Sequence, residues 1–460
     1  MKTNVKQVSD FVTHEGSPAK RINPEQELRR SVMACMLWED SFYEDGVSIA
    51  SRITDLIAKV NPEVCSQIAI EAREKMKLRH VPLLICNVMA GLPTHKKYLS
   101  ETLSRVIQRV DEIAEFLSIY WLSGKKPISA QIKKGLASAF LKFNEYNFAK
   151  YNHDGAIKLR DVMFLVHPKP ANKEQEELFK KIASNTLETP DTWEVALSTG
   201  KDKKETWERL IGEEKLGGLA ILRNLRNMQE VGLSNEHINK AITSIKTDRI
   251  LPFRFIAASR YAPKFEPLLE GKMVSSIGET KLPGKTVLLV DVSCSMDGSL
   301  SSKSDMSRID AACGLAILLR EVCESVDIYS FSMKLMQIPA RRGFALRDSI
   351  MTSQEHSGTP LGLAVKSIYA PISFEEKTSS FGWQGNAAVG YKGQALEPDR
   401  LIVITDEQSA DTVENPKTGK GYMINVSTEK HGIGYGAWTH LDGFSESIVD
   451  YIIENEKIDN

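Results

Sequence analysis

The chain has 460 residues and a formal net charge of -1, with 42% apolar and 26% charged residues. This length allows roughly two to four domains with large cores, and the lack of about eighteen uninterrupted apolar residues argues against a membrane-spanning helix. The six cysteines are scattered without the spacing of a zinc site or a disulfide framework. The polar amino terminus is unlike a signal peptide, so we expect a cytoplasmic protein with no membrane partner.

The small net charge hides an asymmetry between two parts of the chain. Residues 1–280 contain 42 Lys and Arg against 36 Asp and Glu, whereas residues 281–460 contain 17 against 24. A basic part of the chain can attract and bind a polyanion, and an acidic part can bind a cation. Charge alone, with an excess this modest over so many residues, favours the simpler interpretation that the charges only solubilise two domains.

The first 270 residues predict a series of amphipathic helices with short polar connections. Apolar residues recur at intervals of three and four, and prolines fall near the starts of the helical runs. Such helices favour stacked hairpins of the HEAT type, a prediction that rests on helix length because no fixed-period motif is visible. The clearest predicted helices are Leu28–Trp38, Val64–Met76, Val81–Met89, Leu103–Leu122, Ile128–Phe143, Leu216–Met228 and Ile238–Ile245.

After Pro283 the pattern changes to short β-branched runs that alternate with helices, which predicts a parallel sheet covered on both faces. In such folds, ligands bind beyond the carboxyl ends of the strands, near the switch in strand order. A glycine-rich insertion, Glu376–Asp399, is expected to form a surface loop. The predicted strands are Thr286–Val290, Val326–Phe331, Leu401–Thr405 and Met423–Val426.

Five oxygen-bearing side chains fall at the carboxyl edge of this predicted sheet. The first strand ends in Asp291, Ser293 and Ser295, Asp406 follows the third strand, and Thr359 precedes a helix between them. Two carboxylates and three hydroxyls are ligands that a hard divalent cation prefers. The first three residues alone are as typical of turn and capping chemistry. The convergence of three separate segments favours a cation site.

This set of residues resembles the metal-ion-dependent adhesion site of von Willebrand factor A domains. The DxSxS motif of that family corresponds to Asp291, Ser293 and Ser295, its loop threonine to Thr359, and its second strand-end aspartate to Asp406. The resemblance implies a bound divalent cation, Mg2+, whose near-octahedral shell is completed by water and by an oxygen of a partner.

Four segments of the helical part resemble the TROVE module of Ro autoantigen proteins. They are Leu78–Pro82, Lys158–Pro170, Leu219–Met228 and Ile250–Phe255. Their order, with an A-type domain after them, is that of the whole Ro protein. We therefore predict a TROVE helical-repeat module over residues 1–280 and a von Willebrand factor A domain over residues 281–460.

The resemblance implies an α + α/β fold, in which a HEAT-like helical ring is closed by a Rossmann-like A domain with a parallel sheet. It also implies a monomeric RNA-binding scaffold without catalysis of its own. In that family, Y-type small noncoding RNA binds the basic outer face, and single-stranded 3′ ends of misfolded RNA enter the central hole. Bacterial relatives recruit the exoribonuclease polynucleotide phosphorylase. We therefore expect a ribonucleoprotein with a role in RNA quality control or processing.

Five basic residues are candidates for RNA contact. Lys150 and His167 resemble residues of the Ro family that lie at bound Y RNA, and Arg160 stands close to them in sequence. Arg223 and Arg226 are three positions apart on one predicted helix face, where they either line an RNA path or form surface ion pairs. A histidine at the position of His167 is also typical of a helix end.

Two positions depart from the family pattern. Asp154 stands where vertebrate members have an arginine, and Phe164 stands where another basic residue can occur. Because an aspartate repels phosphate, we expect a narrower footprint or a different RNA.

The ligand set of the cation site disfavours a metal nuclease, which gathers several carboxylates around one or two ions. The sequence leaves one alternative function open. It is a metal-dependent protein-binding scaffold in which RNA is incidental.

Overall fold

The computed structural model describes residues 11–39, 41, 43–152, 155–198, 202–248, 250–277, 279–300, 306–369, 395–417 and 419–458. Asp154 and most of the predicted insertion at 376–399 lie outside these residues. The chain divides into two compact units. We call Ala50–Ser244 the helical unit, and Met1–Ile49 together with Ile245–Asn460 the sheet unit.

Helices account for the regular structure of the helical unit, as the apolar periodicity predicts, and its described residues contain no strand. None of the helices in the described ranges is long and apolar enough to span a membrane. Helix α1 and the start of α2 belong to the sheet unit. Helices α1 to α14 are Pro24–Met33, Gly46–Ile57, Pro62–Glu74, Val81–Gly91, Lys96–Val106, Asp111–Tyr120, Ala130–Phe140, Glu145–Tyr151, Leu159–Val166, Lys173–Ser184, Trp193–Ser198, Lys203–Gly212, Gly218–Glu230 and Asn235–Thr243.

The prediction of one helical run over Leu103–Leu122 is wrong, because the chain breaks between α5 and α6. The buried Glu112 carboxylate accepts the backbone N–H groups of Gln108 and Arg109 at 2.8 and 3.0 Å. It also accepts a hydrogen bond from Arg73 Nη2 at 2.6 Å. Glu112 thus binds two backbone N–H groups of the connection between α5 and α6, an interruption that apolar periodicity does not reveal.

The sheet unit contains a six-stranded sheet of order β3-β2-β1-β4-β5-β6. Strand β3 pairs antiparallel with β2, and the other neighbours are parallel. Strands β1 to β6 are Leu282–Asp291, Cys323–Phe331, Leu335–Gln337, Arg400–Thr405, Lys420–Asn425 and Thr439–Asp442. Helices α15 to α20 are Phe253–Tyr261, Glu266–Val274, Arg308–Val322, Gly343–Met351, Leu361–Tyr369 and Ser447–Ile458.

The strand order reverses around β1, which lies between β2 and β4. Apolar residues of the central strands, such as Val287, Leu289 and Val403, are fully buried in a common core with α19. The carboxyl ends of β1 and β4 therefore lie side by side at the switch point, where parallel sheets place their ligands. The predicted α + α/β fold class is confirmed.

The boundaries of the two compact units, at Ile49–Ala50 and Ser244–Ile245, do not coincide with the predicted domain boundary between residues 280 and 281. Helices α15 and α16 precede that boundary, yet both pack against α17 within the sheet unit. A division by compactness does not test a boundary that was predicted from family resemblance. The boundary between residues 280 and 281 therefore stays a prediction.

Candidate metal centre and exposed basic face

Asp291 closes β1 beside the end of β4. Val290 pairs with Ile404 in the parallel register, and Thr405 Oγ1 donates a 2.6 Å hydrogen bond to Asp291 Oδ2. Asp291 Oδ1 accepts the backbone N–H of Ser293 at 2.8 Å. The strand register therefore fixes the Asp291 carboxylate between the two strand ends.

The two serines of the motif lie on the turn that follows β1. Ser293 Oγ and Ser295 Oγ are 3.2 Å apart. The backbone N–H of Cys294 between them donates to Ser357 O at 2.9 Å. This hydrogen bond joins the turn to the segment that carries Thr359.

Thr359 is held against the loop that follows β4. Ala410 N and Ser409 Oγ donate to Thr359 O at 2.9 and 3.3 Å. The two segments approach closely at Gly362, where a Cβ atom would lie 2.1 Å from Thr412 O. Only glycine allows this approach without a shift of the backbone.

The electrostatics of this edge fit a divalent cation. All five predicted ligand residues belong to the segments joined at this edge, and each is at most 3% exposed. Burial and the charge of Asp406 raise the pKa of Asp291 to about 7. Within the described part of the chain, Asp406 Oδ2 has no hydrogen-bond partner, and Arg308 Nη1 lies 3.9 Å from it. A cation would compensate the remaining buried charge and give Oδ2 a partner.

The kind of donor atom also bears on the metal. The described residues contain no group of three or more His, Cys, Asp or Glu side chains that could hold a metal ion. The candidate ligands are instead two carboxylates and three hydroxyls, an oxygen set that suits Mg2+ better than zinc. The metal assignment of Asp291, Ser293, Ser295, Thr359 and Asp406 remains a prediction.

Glu407, which the sequence analysis missed, lies at the centre of a buried ion cluster next to Asp406. Its backbone adopts the left-handed conformation, with φ 62°. Glu407 Oε1 accepts from Arg30 Nη1 at 2.8 Å and contacts His440 Nε2, while Oε2 accepts two backbone N–H groups of the loop before β6 at 2.7 and 2.8 Å. Burial would raise the pKa of Glu407, but Arg30 and His440 hold it well below its usual range.

Helix α9 presents a basic and aromatic face to solvent in the helical unit. Arg160, Phe164 and His167 are spaced by four and three positions and therefore share one side of the helix. All three are exposed, and Phe164 is 52% exposed. His167 ends the helix in the left-handed conformation, with φ 52°, and its N–H donates to Met163 O at 2.9 Å. Its backbone closes the helix while its side chain remains exposed.

Lys150 lies at an aromatic ring in α8. Its Nζ is 5.7 Å from the centroid of the Tyr151 ring, and the guanidinium of Arg109 is 4.9 Å from the same centroid. Two cations therefore flank one aromatic side chain in this part of the helical unit.

Arg223 and Arg226 are both exposed on α13. Arg226 Nε lies 3.5 Å from Glu230 Oε1, one helical turn further along. The ion-pair interpretation therefore applies to Arg226. Arg223 presents its charge on the same face of the helix.

An exposed turn after α6 carries basic and aromatic residues that the sequence analysis did not select. Tyr120 Oη donates to Pro127 O at 2.9 Å, and Trp121 Nε1 donates to Lys126 O at 2.7 Å. Lys126 Nζ lies 4.2 Å from the Tyr120 centroid, and Lys125 Nζ lies 5.4 Å from the Trp121 centroid. An aromatic pair shortly before two lysines was the available sequence signal.

Part of the chain is similar to known proteins in sequence, and its fold is similar to a solved structure. The TROVE domain family matches residues 185–277. Telomerase protein component 1 from Rattus norvegicus and from Mus musculus is 21% and 24% identical over 311 residues, and each match covers 48% of this chain and only 12% of that relative. The crystal structure of the Deinococcus radiodurans Ro (RSR) protein matches with a TM-score of 0.54 and 14% identity, over 92% of this chain and 97% of that chain. This structural likeness shows a shared fold.

Proposed function

We propose that the chain is the RNA-binding scaffold of a small ribonucleoprotein, because residues 185–277 match the TROVE domain family and the fold is similar to that of a Ro protein. Y-type noncoding RNA binds the basic surface of the helical unit, which forms the HEAT-like ring of the predicted fold. Single-stranded 3′ ends of misfolded RNA are the second ligand. A recruited exoribonuclease, such as polynucleotide phosphorylase, degrades or processes that RNA, and the chain itself is not an enzyme.

The exposed face of α9 is the observation that carries this proposal. Arg160 and His167 offer donors to phosphate, and between them Phe164 offers an exposed ring on which a base can stack. Phe164 occupies a position where a basic residue is expected, so stacking replaces one phosphate contact there. This combination is typical of single-stranded RNA contacts.

The charge of the helical unit supports the same ligand. Residues 50–244 contain 30 Lys and Arg against 24 Asp and Glu. Lys150 and Arg223 add exposed or half-exposed cations to those of α9. A positive unit attracts a polyanion over distances of about one Debye length, roughly 8 Å at physiological salt.

The proposed Mg2+ has a structural role in the sheet unit. Asp291, Ser293, Ser295, Thr359 and Asp406 would hold the ion, which supplies positive charge to two buried carboxylates. The alternative function, a metal-dependent protein-binding scaffold, needs an accessible ion, and the burial of all five side chains argues against it.

RNA titration over a range of salt concentrations tests the proposal. The probe is a labelled stem-loop RNA with a single-stranded 3′ tail. If Arg160 contacts phosphate, Arg160→Ala reduces the slope of log affinity against log salt by about one. The matched control is Arg209→Ala, because the exposed Arg209 is already paired with Asp191 at 2.7 Å.

Two results would contradict the RNA scaffold. One is RNA binding that does not weaken as salt rises, and the other is an equal effect of the Arg160 and Arg209 variants. Incubation of the same RNA with the protein and Mg2+ tests the absence of catalysis, since any cleavage that depends on Asp291 would make the chain an enzyme.

A further inference from the structure

The N-terminal segment, by which we mean the described residues among 11–45, lies against the edge of the sheet that carries the candidate cation ligands. Thr13 Oγ1 donates to Ser409 O at 2.7 Å, and the His14 N–H donates to Gln408 Oε1 at 2.8 Å. Gln408 and Ser409 follow Asp406 in the loop after β4. Two adjacent residues of the segment are therefore fixed to the loop that presents one carboxylate ligand.

Further contacts hold the N-terminal segment to the loop after β5. Lys20 N donates to Gly432 O at 3.0 Å, and Ser41 Oγ donates to Glu429 Oε1 at 3.1 Å. The buried Arg30 donates through Nε to Glu429 O. The segment thus crosses both loops at the carboxyl edge and is held at points along its length.

Tyr43 brings the segment to the ligand set itself. Its hydroxyl is hydrogen bonded to the side chain of Ser295. One aromatic hydroxyl of the segment therefore lies at the candidate site.

A small cavity beside the site has walls from both parts. The N-terminal segment contributes Cys35, Met36 and Ser41, the loop after the DxSxS turn contributes Ser299, and α17 contributes Arg308. The segment therefore packs near Arg308, whose Nη1 lies 3.9 Å from Asp406 Oδ2.

We propose that the N-terminal segment is the partner of the cation site, so that cation binding and docking of residues 11–45 stabilise each other. This inference rests on the proposed cation site. In the resemblance to an adhesion site, the partner is a second protein. Here the chain's own segment binds the loops beside the ligands, and Tyr43 is hydrogen bonded to Ser295. By linkage, whatever tightens the cation also tightens the segment, and the reverse.

Hydrogen exchange of the wild-type chain tests this coupling without any substitution. The amides of His14 and Lys20 report docking, because both donate to loops of the sheet edge. When Mg2+ is removed by a chelator, we expect these amides to exchange about tenfold faster or more. Equal exchange with and without Mg2+, in a protein that binds the ion, would overturn the inference.

Tyr43→Phe tests the same coupling from the other side. It removes one hydroxyl and keeps the ring, so we expect Mg2+ affinity, measured by calorimetry, to fall about tenfold, as for other residues that orient a metal ligand. Tyr451→Phe is the matched control, because Tyr451 is exposed on α20. Equal Mg2+ affinity in the two variants would count against a role for the segment.

Asp291→Asn separates the failure of this inference from the failure of the site. If the variant still takes up Mg2+ as the wild type does, the cation site is wrong and the inference falls with it. If the variant loses Mg2+ and its His14 and Lys20 amides exchange rapidly at any Mg2+ concentration, both are supported. RNA affinity is measured separately and depends on neither outcome.

Discussion

The candidate RNA-contact arginines of the helical unit face solvent, whereas several carboxylates of the sheet unit are buried. Arg160 and Arg223 are exposed, while Asp291, Asp406 and Glu407 are fully buried. An exposed charge is screened by salt and remains available to a polyanion. A buried carboxylate needs a fixed partner, and its loss leaves an uncompensated charge. In this chain, the role of a charged side chain therefore depends more on whether it is buried than on the sign of its charge.

Among the substitutions that test this contrast, removal of the Arg30 charge is expected to have the largest energetic effect. Arg30 is fully buried and pairs with the fully buried Glu407 at 2.8 Å. We expect Arg30→Met to lower the free energy of unfolding by about 3–5 kcal/mol, because Glu407 then keeps a buried charge with fewer partners. Chemical denaturation measures the change. A loss below about 1 kcal/mol would show that burial matters less than we infer.

The pH dependence of stability tests the same cluster through His440. Burial would lower the pKa of His440, but Asp442 and Glu407 raise it from 6.5 to about 9. Because the folded chain holds this proton more tightly, the stabilisation is complete below pH 6.5 and is lost as the pH rises through 9. The expected size is roughly 3 kcal/mol.

Denaturation at a series of pH values measures that loss, and His440→Gln provides the reference. The variant should lack the decline between the two pKa values. An unchanged decline in the variant would assign the pH dependence to another group.

On the exposed side of the comparison, Phe164→Ala is expected to weaken RNA binding. Loss of one stacked base costs about 1–3 kcal/mol, which corresponds to a roughly 5- to 150-fold loss of affinity. Leu165→Ala is the neighbouring control, since Leu165 is also exposed on α9. Stability should change little in either variant. Equal RNA affinities of the two variants would show that no base stacks on Phe164.

The smallest expected effect separates the two arginines of α13. Arg226 already has Glu230 as a partner, so Arg223→Gln should weaken RNA binding more than Arg226→Gln does, by about two- to threefold. The exposed ion pair itself contributes only about 0–1 kcal/mol to stability. The reverse order of affinities would show that the RNA path runs along Arg226.

The predicted site residues show how far the sequence could lead. Asp291 and Asp406 were expected to meet because the carboxyl ends of neighbouring parallel strands share one edge, and the order β2-β1-β4 makes their strands neighbours. The break between α5 and α6 could not be predicted in the same way. It depends on the Glu112 carboxylate, which is fixed by Arg73 from another helix.

The sequence by itself determined the period of each element, the oxygen-rich motif at the strand ends and the basic excess of the helical part, since these depend on neighbours along the chain. Only the tertiary structure decided which charges are buried and what covers them. Arg30 meets Glu407 across 377 positions, and Thr13 meets Ser409 across 396. Such pairs leave no local pattern, because their energy arises only when the fold removes both partners from water.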